Sequence, residues 1–339
     1  MSSWYKDAGD ESGIVVSSRI RLARNIEGVP FPKRMSDAQK LEFLEKIKNI
    51  LNSQNFSDKE KLKYIDVSDI TAEELAAMVE RHIISPDFAQ KQGPRGLIIN
   101  RDETLSIMLL EEDHIRIQAI SGGLNLEKAY DDAVWAEQKL CEKLPVAFDS
   151  QLGYLTECPT NLGTGLRASV MLHLPALEST GLISSLVDSA SKIGLTVRGM
   201  YGEGSRSHGS LYQLSNQVTL GISEKSAIDN LKAIAAQVID REKAARQDID
   251  KEKLEDAVYR ALGTLKFARS LSSEEMMNLI SRVKLGVSMG ILKNIPKQLP
   301  MEILIETQPA FLQKNNGIMT PEDRDICRAE FIREKFKDL

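Results

Sequence analysis

The stretch CPTNLGTGLRASVMLHLP, residues 158–175, decides between two fold classes. Its turn, Gly163-Thr164-Gly165-Leu166-Arg167-Ala168, fits the dinucleotide pattern G-x-G-x-x-G/A as written. That pattern needs a hydrophobic strand running into the turn and a helix leaving it. Here the polar Glu157-Cys158-Pro159-Thr160-Asn161 leads in, and the alternating Ser169-Val170-Met171-Leu172-His173-Leu174 leads out. A strand after the turn is the wrong element for a Rossmann fingerprint. No lysine follows the glycines, so the turn is not a P-loop either. It points to a different phosphate chemistry on a different kind of sheet.

The elements around this turn define that sheet. Strand-like runs occupy residues 15–22, 96–100, 105–110, 114–121, 168–174 and 195–200. Between them SDAQKLEFLEKIKNIL (36–51) places Leu41, Leu44, Ile47 and Leu51 at helical spacing. TAEELAAMVERHI (71–83) opens with the capping box Thr71 to Glu74, and NLEKAYDDAVWAEQKLCEKL (125–144) gives a further helix. Several strands follow one another through short turns near 102–103 and 112–113, which favours antiparallel pairing. The expected class is α+β: an antiparallel sheet with helices on one face. After about residue 223 the chain turns helical and heavily charged, with nothing strand-like in 223–270 and more helix expected at 273–292, 300–313 and 321–337. The last is signalled by Thr320 as N-cap, Pro321 at the first helical position and Glu322-Asp323 in the first turn. The expected domains are 1–240, catalytic, and 241–339, small and all-helical.

Bulk composition narrows the function classes. The 339 residues are 42% hydrophobic and 27% charged, with a net charge of −5. That suits a soluble chain of one large and one small domain, and the mild acidity speaks against a general nucleic-acid binder. No apolar run reaches the roughly 18 residues of a membrane span, and the polar start MSSWYKDAGDESG is unlike a signal peptide. Cys141, Cys158 and Cys327 are odd in number and widely spaced, which fits neither a disulfide framework nor a zinc site and suits a reducing cytoplasm. His82, His114, His173 and His208 show no metal-ligand spacing.

The arginines carry the chemical signal. In 17–22, Arg19 and Arg21 point one way with Ile20 and Leu22 opposite, which fits a solvated face or an anion site. Glu112, His114 and Arg116 share a face if their strand is regular. Arg167 sits at the mouth of the glycine turn, and Arg198 ends a strand and starts the glycine-rich loop that carries Glu203. Five arginines at strand ends beside flexible turns suit a polyphosphate, because each offers a permanently charged, bidentate donor.

SSRIRLARN (17–25), EEDHIRI (111–117), CPTNLGTGLRASV (158–170) and RGMYGEG (198–204) with GSLYQLSNQ (209–217) resemble, in order, the signatures of phosphagen (ATP:guanido phosphotransferase) kinases. Members of that family move the γ-phosphoryl of Mg-ATP to a guanidinium nitrogen. The resemblance implies ATP and Mg2+, with Arg19, Arg21, Arg116, Arg167 and Arg198 gripping the nucleotide phosphates. It implies nucleotide contacts from Ser17, Ser18, Arg19, Ile20 and Arg21, from Arg167, Ala168, Ser169, Val170 and Met171, and from Arg198, Gly199, Met200, Tyr201, Gly202 and Glu203. His82, in VERHIISP, matches a nucleotide-side histidine. Glu112 and Glu203 would hold the acceptor guanidinium, with Cys158 beside them. The residue types suit that chemistry. A guanidinium with a pKa above about 12 is a poor nucleophile, so one NH must be polarised or deprotonated as the phosphoryl arrives. Two carboxylates can clamp the planar fork and accept the proton, and a thiolate adds a third negative contact.

Two departures from the metabolic enzymes point to one branch. Only sixteen residues precede Ser17, where the metabolic enzymes carry a helical domain whose loop closes over a small guanidine; an open acceptor side is expected. The added C-terminal helical domain is the second. Both resemble the bacterial protein-arginine kinase (McsB-type) branch, as does Met171 where many phosphagen kinases carry histidine. Within EDRDICRAEF (322–331), Arg324, Asp325, Arg328 and Ala329 match the R-D-x-x-R-A motif by which that branch binds phosphoarginine. On a helix Arg324 and Arg328 are i,i+4 and Asp325 to Arg328 is i,i+3, which fits either a patch for phosphate and guanidinium or an intrahelical salt bridge. The branch further implies a stress-response role that marks proteins such as a heat-shock repressor for a Clp chaperone-protease, a zinc-finger activator partner, and a homodimer or higher assembly. A kinase for free arginine and a non-catalytic phosphoarginine adaptor remain alternatives.

Overall fold

Leu166 to His173 do form a strand after the glycine turn, so the chain leaves that turn into a sheet. The computed structural model describes residues 3–7, 9, 11–53, 61–199, 208–337 and 339. Its strands are β1 (Val15–Arg24), β2 (Leu62–Asp66), β3 (Gly96–Asn100), β4 (Leu105–Leu109), β5 (Ile115–Gly122), β6 (Phe148–Asp149), β7 (Gly153–Tyr154), β8 (Leu166–His173), β9 (Leu195–Gly199) and β10 (Leu211–Asn216). The helices are α1 (Asp37–Asn52), α2 (Ala72–Glu80), α3 (Pro86–Gln90), α4 (Leu126–Cys141), α5 (Pro175–Ser179), α6 (Ile183–Ser191), α7 (Glu224–Gln247), α8 (Lys251–Phe267), α9 (Ser273–Ser288), α10 (Leu299–Glu306), α11 (Pro309–Asn316) and α12 (Pro321–Lys335). Eight strands make one antiparallel sheet in the order β2-β3-β4-β5-β1-β8-β10-β9, and β6-β7 form a separate hairpin. Among the described residues no helix is long and apolar enough to cross a membrane.

Directly opposed residues of an antiparallel pair share a face, so register sorts the side chains. Ile20 opposes Ala119 and Ala168, and Leu22 opposes Ile117 and Leu166; all are buried. This apolar face receives α4, whose buried stripe Leu126, Ala129, Ala133, Ala136 and Leu140 recurs at helical spacing, and α7 through Ala227, Ile228, Leu231, Ala235, Val238 and Ile239. Each fully buried leucine, isoleucine or valine there contributes about 1.5–3 kcal/mol.

The opposite face has two ends of different character. At one end Val16, Ile120 and Leu211, with Met171 against them, join the apolar core of α8, α9, α10 and α12 and the short helix Trp4–Lys6. Helices therefore lie on both faces and not on one as expected, because these apolar side chains also need cover. At the β3–β4 end Leu97, Ile99 and Met108 join a separate apolar core with α2 and α3, and beside these cores the same face is basic.

Other differences are local. Strands β2 and β10 were not among the expected runs, although β10 pairs with both β8 and β9. The expected helix at 300–313 is two helices, because Thr307 and Gln308 separate α10 from Pro309 at the start of α11. Thr71 caps α2 by accepting from the Glu74 amide at 3.2 Å, but the Glu74 carboxylate pairs with Arg81 and Lys314 instead of completing the box. A full capping box forms at Ser36 and Gln39. Residue 240 lies inside α7, and the helices break at 248–250.

Candidate active site

Register places five guanidiniums on one face. Arg21 opposes Arg167, Arg19 opposes Ser169, and Ala23, two residues from Arg21, opposes Arg116. Arg198 opposes Gln213, which in turn opposes Met171. All five are half-buried. Ser17, Ser169 and Met171 share their face, whereas Ser18, Ile20, Ala168 and Val170 alternate to the helical side. Ser18 there donates to the Gly123 carbonyl at 2.9 Å and accepts from the Asn125 amide at 3.0 Å, which ties β1 to the start of α4.

The cluster is electrostatically stressed. Burial, then Arg116, pulls Arg19 down to about 10. Burial and the fields of Arg19, Arg116 and Arg167 hold Arg21 well below the usual arginine value, and its Nε has no hydrogen-bond partner among the described residues. Arg167 is lowered by burial, Arg198 and Arg116, with Cys158 and Glu112 opposing. Guanidiniums stay protonated in proteins, so these directions measure repulsion that a bound polyanion relieves.

Arg116 differs, and the reason is a residue the sequence reading passed over. Glu111, 2% exposed, accepts from Arg116 Nη1, at 2.5 Å to Oε1, and from the Ser85 hydroxyl, while Lys91 donates to its carbonyl. Burial lowers Arg116, but Glu111 more than offsets it and holds it above its usual value.

Glu112, exposed beside Glu111, lines a cleft of about 300 Å3 with Arg116, Glu157 and Lys33 among its walls. Partial burial, then Asp113, raises its carboxyl above the usual range. The expected shared face of Glu112, His114 and Arg116 does not form. The strand begins only at Ile115, after a turn in which Leu110 has φ +64° and its amide bonds the His114 carbonyl. His114 is buried on the helical side, where Nδ1 accepts from the Ile26 amide, Nε2 lies 2.8 Å from the Pro30 carbonyl and the ring packs on Phe43. It is a structural histidine.

A clamp fixes the loop of Cys158, whose neighbour Glu157 lines this cleft. Asn25 donates to Asp113 Oδ1 at 2.6 Å and to the Leu155 carbonyl at 2.9 Å, and its own Oδ1 accepts from the His114 amide. Asp113 also accepts from the Glu157 amide at 2.8 Å, so one pair of buried side chains fixes the Glu112 loop against the Cys158 loop. The half-buried Cys158 thiol lies 3.1 Å from the Thr160 hydroxyl. Arg24, fully buried on the other side, pairs with Glu137 and Glu224 and donates to the Thr164 carbonyl at 3.1 Å, which anchors the turn that presents Arg167. A cavity of about 720 Å3, larger than the cleft at Glu112, lies beside that anchor at Tyr130, Glu137 and Glu224 and is lined by none of the five arginines, so size does not select the site.

His82 does meet the cluster. Its carbonyl accepts from Gln118, which shares the arginine face, and burial followed by Arg19 lowers the ring to about 3. It is therefore neutral at physiological pH, with a buried Nε2 that has no partner among the described residues. Met200, Tyr201, Gly202 and Glu203 lie outside the described residues.

The α12 motif sits apart. Asp325 and Arg328 form the expected i,i+3 pair at 2.5 Å, but Arg328 is fully buried and donates to the carbonyls of Leu271 at 2.7 Å and Thr307 at 3.0 Å. Arg324 is half-buried and bonds the Met319 carbonyl at 3.4 Å. Arg328 thus holds α12 against its neighbours while Arg324 and Asp325 keep partial exposure, and Ala329 is buried beside them.

Two family models match the chain. The model of the ATP:guanido phosphotransferase C-terminal catalytic domain matches residues 42–245, and that of the protein-arginine kinase McsB C-terminal domain matches residues 251–339. The first match begins after β1, which is nevertheless an inner strand of the sheet. The protein-arginine kinase of Desulforamulus reducens is 43% identical, covering 100% of this chain and 96% of its own. That of Halothermothrix orenii is 46% identical, covering 99% and 96%. The Bacillus subtilis protein-arginine kinase is 43% identical, covering 99% and 93%. Among solved structures, lombricine kinase superposes with a TM-score of 0.62 at 25% identity, over 74% of each chain. The duplicated taurocyamine kinase of Schistosoma mansoni gives 0.62 at 25% identity, over 81% of this chain and 41% of that one. Two adjoining domain matches and relatives alike over nearly their whole length make this chain a member of the protein-arginine kinase family, within the ATP:guanido phosphotransferases.

Proposed function

We propose that the chain transfers the γ-phosphoryl group of Mg-ATP to a guanidinium nitrogen of arginine side chains in proteins. The observation that carries this is the gathering of Arg19, Arg21, Arg116, Arg167 and Arg198 on one sheet face, next to a cleft that holds Glu112. Phosphoryl transfer asks mainly for positioning and charge neutralisation, which those guanidiniums supply to the triphosphate. Magnesium belongs to the substrate: the donors facing the phosphates are guanidiniums, which do not ligate cations.

On the acceptor side the N–P bond forms as the bond between the γ-phosphorus and its bridging oxygen breaks, and ADP leaves with that electron pair. The proton lost by the guanidinium passes to a carboxylate. Glu112 suits this role because its raised pKa makes it a better base than an ordinary glutamate. Glu203 would be the second carboxylate of the clamp, and Cys158 the third contact. Arg324 and Asp325, half-buried on α12, would form the reading edge of a phosphoarginine site, with Arg328 holding their helix. Family membership supports the further reading that phosphoarginine marks proteins, a heat-shock repressor among them, for Clp-type degradation under stress, aided by a zinc-finger activator.

ADP release with Mg-ATP and either a protein acceptor or free arginine tests the proposal. Turnover with the protein and little with free arginine is expected. Turnover with free arginine alone would make this a small-guanidine kinase, and absence of turnover with both would leave a phosphoarginine adaptor.

A further inference from the structure

Away from the arginine face, where the N-terminal segment meets α7 and α9, lies a cavity of about 490 Å3 whose walls include Glu11, Ser12, Lys284 and Lys297. Lys284 is 5% exposed and makes no ion pair among the described residues; its ammonium donates to the Ser12 carbonyl at 2.8 Å. Lys297 stands exposed on the same wall. The carboxylates nearby are already engaged. Glu242, fully buried, takes Arg246 at 2.7 Å and the amides of Ala176 and Leu177, and Glu11 takes Lys243 at 3.0 Å. Arg246 spends its other donors on Ser288 and on the carbonyls of Gly13 and His173.

Among the described residues, then, the cavity wall carries two cations, Lys284 and Lys297, and one carboxylate, Glu11, which Lys243 already takes, while Arg246 and Glu242 pair with each other nearby. A buried ammonium is unfavourable unless it is paired. Burial, followed by Arg246, lowers Lys284 to about 8, and a bound anion would reverse both effects. Holding one backbone carbonyl needs only a neutral donor, so that bond does not account for a charged group lining a cavity.

We infer that this cavity is an anion site that takes a tetrahedral oxyanion of the phosphate class, with Lys284 and Lys297 as its charged donors. It joins the N-terminal segment to α9 of the helical unit, and α7 reaches its wall through Arg246, which donates to Ser288 and to the Gly13 carbonyl. The neighbouring buried bond from His173 Nε2 to the Ser281 hydroxyl, at 2.8 Å, links the end of β8 to α9. The site lies at the opposite end of β8 from Arg167, so its occupancy is separable from nucleotide binding.

The test is calorimetric titration of inorganic phosphate into full-length protein whose arginine face is already saturated with ADP. Wild type is expected to take up phosphate under these conditions. Lys284→Met should weaken it by roughly ten- to a hundredfold, as for loss of one charge-assisted hydrogen bond. Lys297→Ala, at an exposed position that the fold does not need, should weaken it by a smaller factor, and ADP affinity should hold in both. A parallel titration with a phosphoserine peptide separates the sources: uptake of phosphate alone assigns the site to a free anion, and uptake of both extends it to phosphorylated chains. No phosphate uptake by ADP-saturated wild type, or unchanged affinity in both variants, overturns the proposal.

Discussion

Glu111 and Glu112 are adjacent carboxylates with opposite fates, and the site depends on which is which. Glu111 is buried against Arg116, and despite burial the arginine holds its carboxyl below the usual range. The stability it contributes is therefore complete above the ordinary glutamate pKa of about 4.3 and is lost as pH falls through the depressed value. Glu111→Ala should cost roughly 3 kcal/mol in chemical denaturation, because it leaves Arg116 uncompensated beside Arg21. Glu112 faces the cleft with a raised pKa, so the acid limb of the rate profile should lie above the ordinary glutamate value, with activity falling as the carboxylate protonates. Glu112→Ala and Cys158→Ala should each lower kcat about 10²–10⁴-fold with little change in ATP affinity, whereas Arg116→Ala and Arg198→Ala should weaken ATP binding as well. Calorimetric ATP binding beside turnover separates the two groups. The residues of the cage and cleft were legible because charge at strand ends is visible in sequence. Glu111 was not: the left-handed Leu110 resets the alternation just before it, and no composition signal marks that turn.

The glycine turn and its strand show the same limit at the level of elements. Gly163, at φ +108°, has no room for a side chain: a Cβ would lie 2.3 Å from the Thr219 carbonyl oxygen. Gly165, at φ +60°, would bring one within 2.7 Å of the Ala23 carbonyl and of Arg24. Gly165→Ala should cost at least about 1–2 kcal/mol from the left-handed backbone alone. It should also lower kcat by shifting Arg167, a combination that a melting curve and a turnover assay on one sample would reveal. Unchanged turnover would detach the turn from the site. The strand leaving this turn was readable from its alternation of apolar and other side chains. Strand β10 was not read as one, because LYQLSN places Gln213 and Ser215 on the functional face and Asn216 on buried backbone bonds to Ala168 and Leu166, which erases the apolar period. Helix α12 was legible from its first four residues, and its cap, Thr320 accepting from the Asp323 amide at 3.1 Å, should be worth about 1 kcal/mol on mutation to alanine.

Across the whole molecule, long-range polar ties join the helical unit to the sheet. Glu80, just before Arg81 and His82, accepts from the amides of Ala310 and Phe311 at 2.8 Å each and so caps α11. Glu306 of α10 takes Lys6 from the N-terminal segment and Lys335 from α12. No spacing in the sequence announces the ties of Glu80 to Ala310 or of Lys6 to Glu306, since these partners lie 230 and 300 residues apart. The broad division into a sheet domain and a helical region was readable, because the hydrophobic period changes from two to 3.6 along the chain. Arg328, buried among three acceptors, should prove structural: Arg328→Ala should lower stability by about 3–5 kcal/mol while ATP affinity in the folded fraction holds. The most direct measurement of the central claim is phosphorus NMR of a protein acceptor after incubation with Mg-ATP and either wild type or Arg167→Ala. A phosphorus–nitrogen resonance, labile in acid, that forms with wild type and is strongly reduced with the folded Arg167→Ala variant is the expected result. Acid-stable phosphate on hydroxyl side chains, or an undiminished phosphorus–nitrogen signal with Arg167→Ala, would contradict it.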